Sequence, residues 1–166
     1  MSRMLTILIS LILGAVIATV VGMKVLPGMM IKEIPSSLGF EETLEKVRAK
    51  AKEMGWRGSE KWTVDFQKNL MKVEKADVGP VTVLKRCETK AAVSILEHDE
   101  LKKLSVMMPC SIAIYTKSDG KTYVAIMNMG ILGSLFGDVV RDLTDVLGPQ
   151  METMANVGAA APAAAQ

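Results

Sequence analysis

The hydrophobic pattern divides the chain before any residue is read for chemistry. From Met4 to Met23 no position is charged, and ~20 helical residues rising 1.5 Å each span the ~30 Å hydrocarbon core of a bilayer. The pattern predicts a single-pass transmembrane anchor over residues 1–26. A cleaved signal peptide would have a shorter apolar region and a small-residue cleavage site, which this segment lacks before Lys24. Basic groups flank the span almost evenly, with Arg3 and the amino terminus before it and Lys24 and Lys32 after it. The expected orientation is a short tail inside and an extracytoplasmic, periplasmic domain. Ser10, Gly14, Ala18 and Gly22 recur every four residues and so share one helix face, where a transmembrane partner or a second copy could approach closely. Pro27, Gly28 and Pro35 predict a juxtamembrane linker over 27–39.

Beyond the linker the period changes repeatedly between helix and strand. Phe40, Leu44, Val47, Ala51 and Met54 fall at helical spacing, with Gly39 at the start and Gly55 at the stop. Glutamates lead this helix and lysines close it, as the helix dipole favours. A strand is expected near Lys61–Val64, a short helix over Asp65–Val73, and a strand over Pro80–Cys87 with Val81, Val83 and Cys87 on one face. Thr89 is placed to cap the next helix, which carries Ala91, Ala92, Ile95 and Leu96. A hairpin follows: Cys110–Lys117, a turn at Ser118-Asp119-Gly120-Lys121, and Thr122–Asn128. Pairing Ser118 with Lys121 sets Ile114 opposite Ala125, Ile112 opposite Met127 and Cys110 opposite Met129. Both faces of this hairpin are apolar enough to be covered. A last helix is expected over Ile131–Leu147, burying Leu132, Phe136, Val139, Leu143 and Val146 until Gly148-Pro149 stops it. Residues 149–166 then form an Ala/Pro-rich tail. The predicted fold class is α+β: a single transmembrane helix followed by a compact domain, residues 40–148, with one mixed or antiparallel sheet packed with helices.

Composition removes several functions. Twenty basic and 18 acidic residues leave a formal charge of +2, so no basic field recruits nucleic acid. One histidine and two cysteines exclude a multi-His centre and a disulfide-rich scaffold. His98, beside Asp99 and Glu100, reads as a surface residue, and no motif supplies a catalytic residue. The unusual feature is soft sulfur, with 13 methionines in the chain. The hairpin draws Met108 and Cys110 toward Met127 and Met129, a set that reads first as a core filled by flexible thioethers and whose chemistry also suits Cu(I) or haem iron. Cys87 and Cys110, both at strand ends, are the pair from which a disulfide could form.

Gly55-Trp56, the strand ending in Cys87, Met108-Pro109-Cys110, the aliphatic run to Tyr115, and Asp119-Gly120-Lys121 before Tyr123-Val124 together resemble the domain of unknown function 302 family, over Phe40–Leu147. The resemblance implies a compact α+β fold found in bacteria and archaea, sometimes behind a membrane anchor, with no established activity and no catalytic residue to carry over. Glu88-Thr89 stands where members often have Asn-Pro, and Ser111 where they often have a basic residue. The functional expectation is a non-catalytic accessory or assembly subunit of a larger membrane complex. The alternative is an extracytoplasmic redox or soft-metal/haem handling module built on Cys87, Cys110 and the nearby methionines. The bilayer and a transmembrane protein or homo-oligomer are the expected partners.

Overall fold

The structure, a computed structural model, describes residues 2–159. Helix α1 (Ser2–Met30) runs without a break into strand β1 (Ile31–Ser36), followed by α2 (Phe40–Glu53), β2 (Thr63–Asp65), α3 (Phe66–Glu74), β3 (Val81–Arg86) and α4 (Thr89–Leu96). A long 3₁₀ segment, Asp99–Met107, leads to β4 (Cys110–Thr116), β5 (Thr122–Met127), α5 (Met129–Leu135) and α6 (Asp138–Ala155). The five strands form one antiparallel sheet in the order β1-β5-β4-β3-β2. Helices α2 and α6 close one face, and the core lies between them and Leu84, Ile112, Ile114, Val124 and Ile126, none more than 2% exposed.

The expected linker over 27–39 is corrected at its centre. Ile31–Ser36 pairs with β5 along its length, Pro35 lying opposite Tyr123. Proline is tolerated there because β1 is an edge strand, with one flank that needs no hydrogen-bond donor. The junction with α1 is also fixed: the Asn128 backbone N–H donates to the Met30 carbonyl at 2.8 Å and its side-chain amide to that of Met29 at 2.9 Å. Large side chains along α1 are uncovered by protein, Leu11 being 66% exposed and Leu13 58%. Among the described residues, no helix is long and apolar enough to cross a membrane. Some side chains of α1, Ala18 among them, lie outside the described set.

The hairpin register differs by one residue from that expected. Lys117, not Ser118, bonds across to Lys121, its N–H donating to that carbonyl at 3.0 Å. The loop therefore has three residues and ends on Gly120, whose φ of +77° supplies the left-handed position such a loop requires. Ile112 pairs with Ile126 and Ile114 with Val124 on the core face, while Ala113–Ala125 and Tyr115–Tyr123 face away. On β3 the buried face is Thr82, Leu84 and Arg86, the opposite of Val81 and Val83.

The expected helix over Ile131–Leu147 is two helices. Gly137, at φ +86°, breaks the path between α5 and α6. The buried stripe also shifts by one position: Val140, Thr144, Leu147, Met151 and Met154 are covered, whereas Val139 is 46% exposed and Val146 58%. Pro149 does not end the helix, because the stripe continues to Ala155 and packing beyond the proline outweighs its local cost. The expected tail thus begins too early. Residues 156–158 fold back on β1, where the Ser37 N–H donates to the Gly158 carbonyl at 2.7 Å, and 160–166 lie outside the described residues. Glu88, not Thr89, caps α4 by accepting from the Ala91 N–H at 2.6 Å.

Candidate functional site

Three chain segments end together at one edge of the core. Strand β4 begins at Cys110, β5 ends at Met127, and α5 starts at Met129. Their convergence beneath α6 leaves a cavity of about 100 Å³, walled by Met107, Met108, Cys110, Met127, Met129 and Met151. Apolar side chains from α4, the 3₁₀ segment, α5 and α6, among them Ile95, Leu104, Leu132 and Val140, complete it. The hydroxyl groups on the wall belong to Ser111 and Thr144, and Thr144 already donates to the Arg141 carbonyl at 3.0 Å. Among the described residues, no charged side chain lines the cavity.

All four residues proposed as soft ligands, Cys110, Met108, Met127 and Met129, reach this one wall. Met151 was missed because it fell in the expected tail. Its signal was the spacing Leu147–Met151–Met154, which carries the apolar stripe past Pro149. Cys87 does not line the main cavity; it lies with Cys110, Trp56 and Pro109 around an adjoining cleft of about 30 Å³. Both cysteines are free thiols, so the possible disulfide is not formed. Burial pushes the Cys110 thiol up to about 11, and the nearby Cys87 adds to the shift. Burial and then the Glu88 carboxylate raise Cys87 as well. Neither group has the depressed pKa of a thiolate nucleophile.

Size decides between the two soft ligands. Pockets for drug-sized molecules run to ~300 Å³ or more, and a haem macrocycle does not enter about 100 Å³. A single ion or a very small apolar molecule does. Among the described residues, no group of three or more His, Cys, Asp or Glu side chains is placed to hold a metal ion. The wall instead offers one thiol and neutral thioethers, the donor set of a monovalent soft cation.

Sheet, single helical layer and sulfur-walled cavity define a two-layer α+β domain. The chain belongs to the family described as Domain of unknown function DUF302, which matches residues 32–161. That match takes in β1 from Lys32 and the whole of α6, so it reaches past both ends of the 40–148 expected from sequence. The chain is similar to a crystal structure titled uncharacterized conserved protein DUF302 from Bacillus stearothermophilus, with a TM-score of 0.68 and 18% identity over 78% of this chain and 98% of that one. At that identity the likeness speaks to the fold alone. No curated protein matches the chain.

Proposed function

We propose that the protein is a membrane-anchored module that holds Cu(I) in the sulfur-walled cavity. The observation that carries this reading is the meeting of Cys110 with five methionines around one small apolar space. An apolar cavity rejects a net charge. Binding Cu⁺ with loss of the Cys110 proton forms a Cu–S bond and leaves thiolate and cation together neutral, while the thioethers add donors without charge. Met151 from α6, Met129 from the start of α5 and Met127 from the end of β5 would make the two layers joint ligands of the ion.

In this reading α1 is the anchor: no helix qualifies as a span on its described residues alone, but the charge-free stretch from Met4 to Met23, read over the full sequence, and the uncovered apolar side chains suit lipid. The domain then lies on the extracytoplasmic side. A second role, accessory subunit of a membrane complex, is favoured by the open face of α1: a side chain added at Gly14 or Gly22 would meet no atom within 4 Å. A partner helix could pack there, with Ser10 on the same face.

Anaerobic titration of the full chain in detergent, against a chromophoric Cu(I) chelator, tests the metal reading. One ion per chain is expected. Its apparent affinity should rise about tenfold per pH unit below neutrality-to-alkaline values, since one proton is displaced, and fall by about 100-fold in Cys110→Ser. No retention of Cu(I) by the unsubstituted chain overturns it. For the anchor, release of the protein from membranes by alkaline carbonate is the contrary result. Loss of co-purifying subunits in Gly14→Leu supports the accessory role.

A further inference from the structure

Strand β3 ends at Arg86, directly opposite Cys110 at the start of β4. Cys87 is the next residue along that ladder. One residue of strand advances ~3.4 Å and paired strands lie ~5 Å apart, which sets the Cα atoms of Cys87 and Cys110 roughly 6 Å from each other. A disulfide needs about 4.4–6.8 Å. Neither backbone is loose: Cys87 exchanges a pair of 2.8 Å hydrogen bonds with Arg57, and Cys110 belongs to the ladder itself. Successive side chains of a regular strand take opposite faces, but beyond the end of β3 both cysteines line one cleft of about 30 Å³, with Ala91, Ala92 and Pro109 around it. The nearness is felt electrostatically, since charge on Cys87 raises the Cys110 thiol. Among the described residues, the Cys87 thiol makes only a 3.7 Å contact with the Glu88 carbonyl.

We propose that Cys87 and Cys110 are a thiol–disulfide exchange pair, which a small-molecule disulfide such as oxidised glutathione converts to an intramolecular bridge that closes the sulfur-walled cavity to copper. Cys87 reacts first, because Cys110 packs against the core cluster and Cys87 does not. Its thiolate attacks one glutathione sulfur, the glutathione S–S bond breaks, and one glutathione leaves and takes up a proton. Cys110 then gives up its proton, attacks the Cys87 sulfur of the mixed disulfide and expels the second glutathione. Two protein thiols are oxidised, one disulfide is reduced to two thiols, and the two protons pass to the departing glutathiones. With neither pKa depressed, the exchange runs over minutes to hours, the pace of uncatalysed disulfide chemistry.

The link to copper rests on the proposed copper reading. Cys110, Met108, Ile95 and Leu147 line both the cleft and the main cavity, so a bridge formed in the cleft takes its second sulfur from the cavity wall. Among the described residues, Cys110 is the one wall residue able to supply a thiolate. Once it is bridged the cavity keeps only neutral thioethers, and Cu⁺ there would carry an uncompensated charge in an apolar space.

To test this, the full chain in detergent is reduced, freed of reductant, incubated for hours with oxidised glutathione, alkylated in denaturant and weighed intact. A chain lighter by two hydrogen atoms and free of alkyl label is expected, and non-reducing peptide mapping should join Cys87 to Cys110. Cys110→Ser should stop at one glutathione on Cys87, whereas Cys87→Ser should leave Cys110 unreacted. Chelator competition on the bridged chain should read a Cu(I) affinity as low as that of Cys110→Ser. Two alkylated thiols in the treated parent, a mixed disulfide that persists on Cys87, or a bridge between two chains each overturns the inference. A bridged chain that holds Cu(I) as tightly as the reduced one overturns the coupling to the cavity. If the reduced chain holds no Cu(I) while the bridge still forms, the copper reading alone has failed.

Discussion

Adjacent residues of β4 face opposite sides of one sheet. Ile112 and Ile114 are fully buried under α2 and α6, whereas Ala113 and Tyr115 between and beyond them are only half-covered. Both sets are apolar, so hydropathy alone does not distinguish them. What differs is cover. The inner face is built largely of Leu, Ile and Val packed beneath the helices, and the outer face carries valines and alanines beside two stacked tyrosines outside that core. Helix α6 repeats the lesson, for Val140 is 2% exposed and its neighbour Val139 46%.

The widest separation should come from α6. Val140→Asp strands a carboxylate in the core and should cost about 4 kcal/mol or more, enough to unfold a marginal domain, while Val139→Asp should stay within about 0.5 kcal/mol. Urea denaturation of the two variants measures the difference, and equal loss would mean the stripe is misassigned. Next is the sheet itself: Ile114→Ala should cost about 2–5 kcal/mol through transfer and cavity terms, against about 0.5 kcal/mol or less for Ala113→Ser at its half-buried position on the opposite face.

A smaller effect is expected from pH. Cys110 ionises at about 11 in the fold against 9.0 as its reference. The unfolded chain therefore gives up this proton first, and stability that is complete below about pH 9 declines as pH rises toward 11, by roughly 2–3 kcal/mol at most. Cys110→Ser should flatten that decline in alkaline melting curves. The smallest effect lies on the outer face. Lys117, and then Tyr115, hold the Glu33 carboxyl below its ordinary 4.5. The contribution is present above that value and lost as pH falls through the lowered one. Glu33→Gln should remove this acid-side dependence from the melting curve, with little change at neutral pH because exposed ion pairs count for little.

Where one element's own period carried the signal, sequence was legible. Helix α2 lies over Phe40–Glu53 between Gly39 and Gly55, and Asp65 caps α3 by accepting from the Lys68 N–H at 2.9 Å. The hairpin was plain from Asp119-Gly120, and Met108, Cys110, Met127 and Met129 share one cavity wall. Its register was not legible, because two- and three-residue loops both suit Asp-Gly and both faces of the strands are apolar. Strand β1 was hidden by Pro35, which punctuates a loop as readily as it sits on a sheet edge. Met151 was hidden by Pro149, which ends most helices.

By itself, then, the sequence determined most of the local elements, the two ends of α2, the charge-free N-terminal stretch, the absence of familiar catalytic motifs and the concentration of sulfur near Cys110. Each follows from interactions within a few residues of chain. The tertiary structure alone decided which apolar face is buried, that α6 survives its proline, that Ile31–Ser36 closes the sheet, and that Met151 joins the cavity. Those outcomes depend on burial against elements distant in the chain. Packing energy summed over a whole face exceeds the local preferences of any one proline or turn.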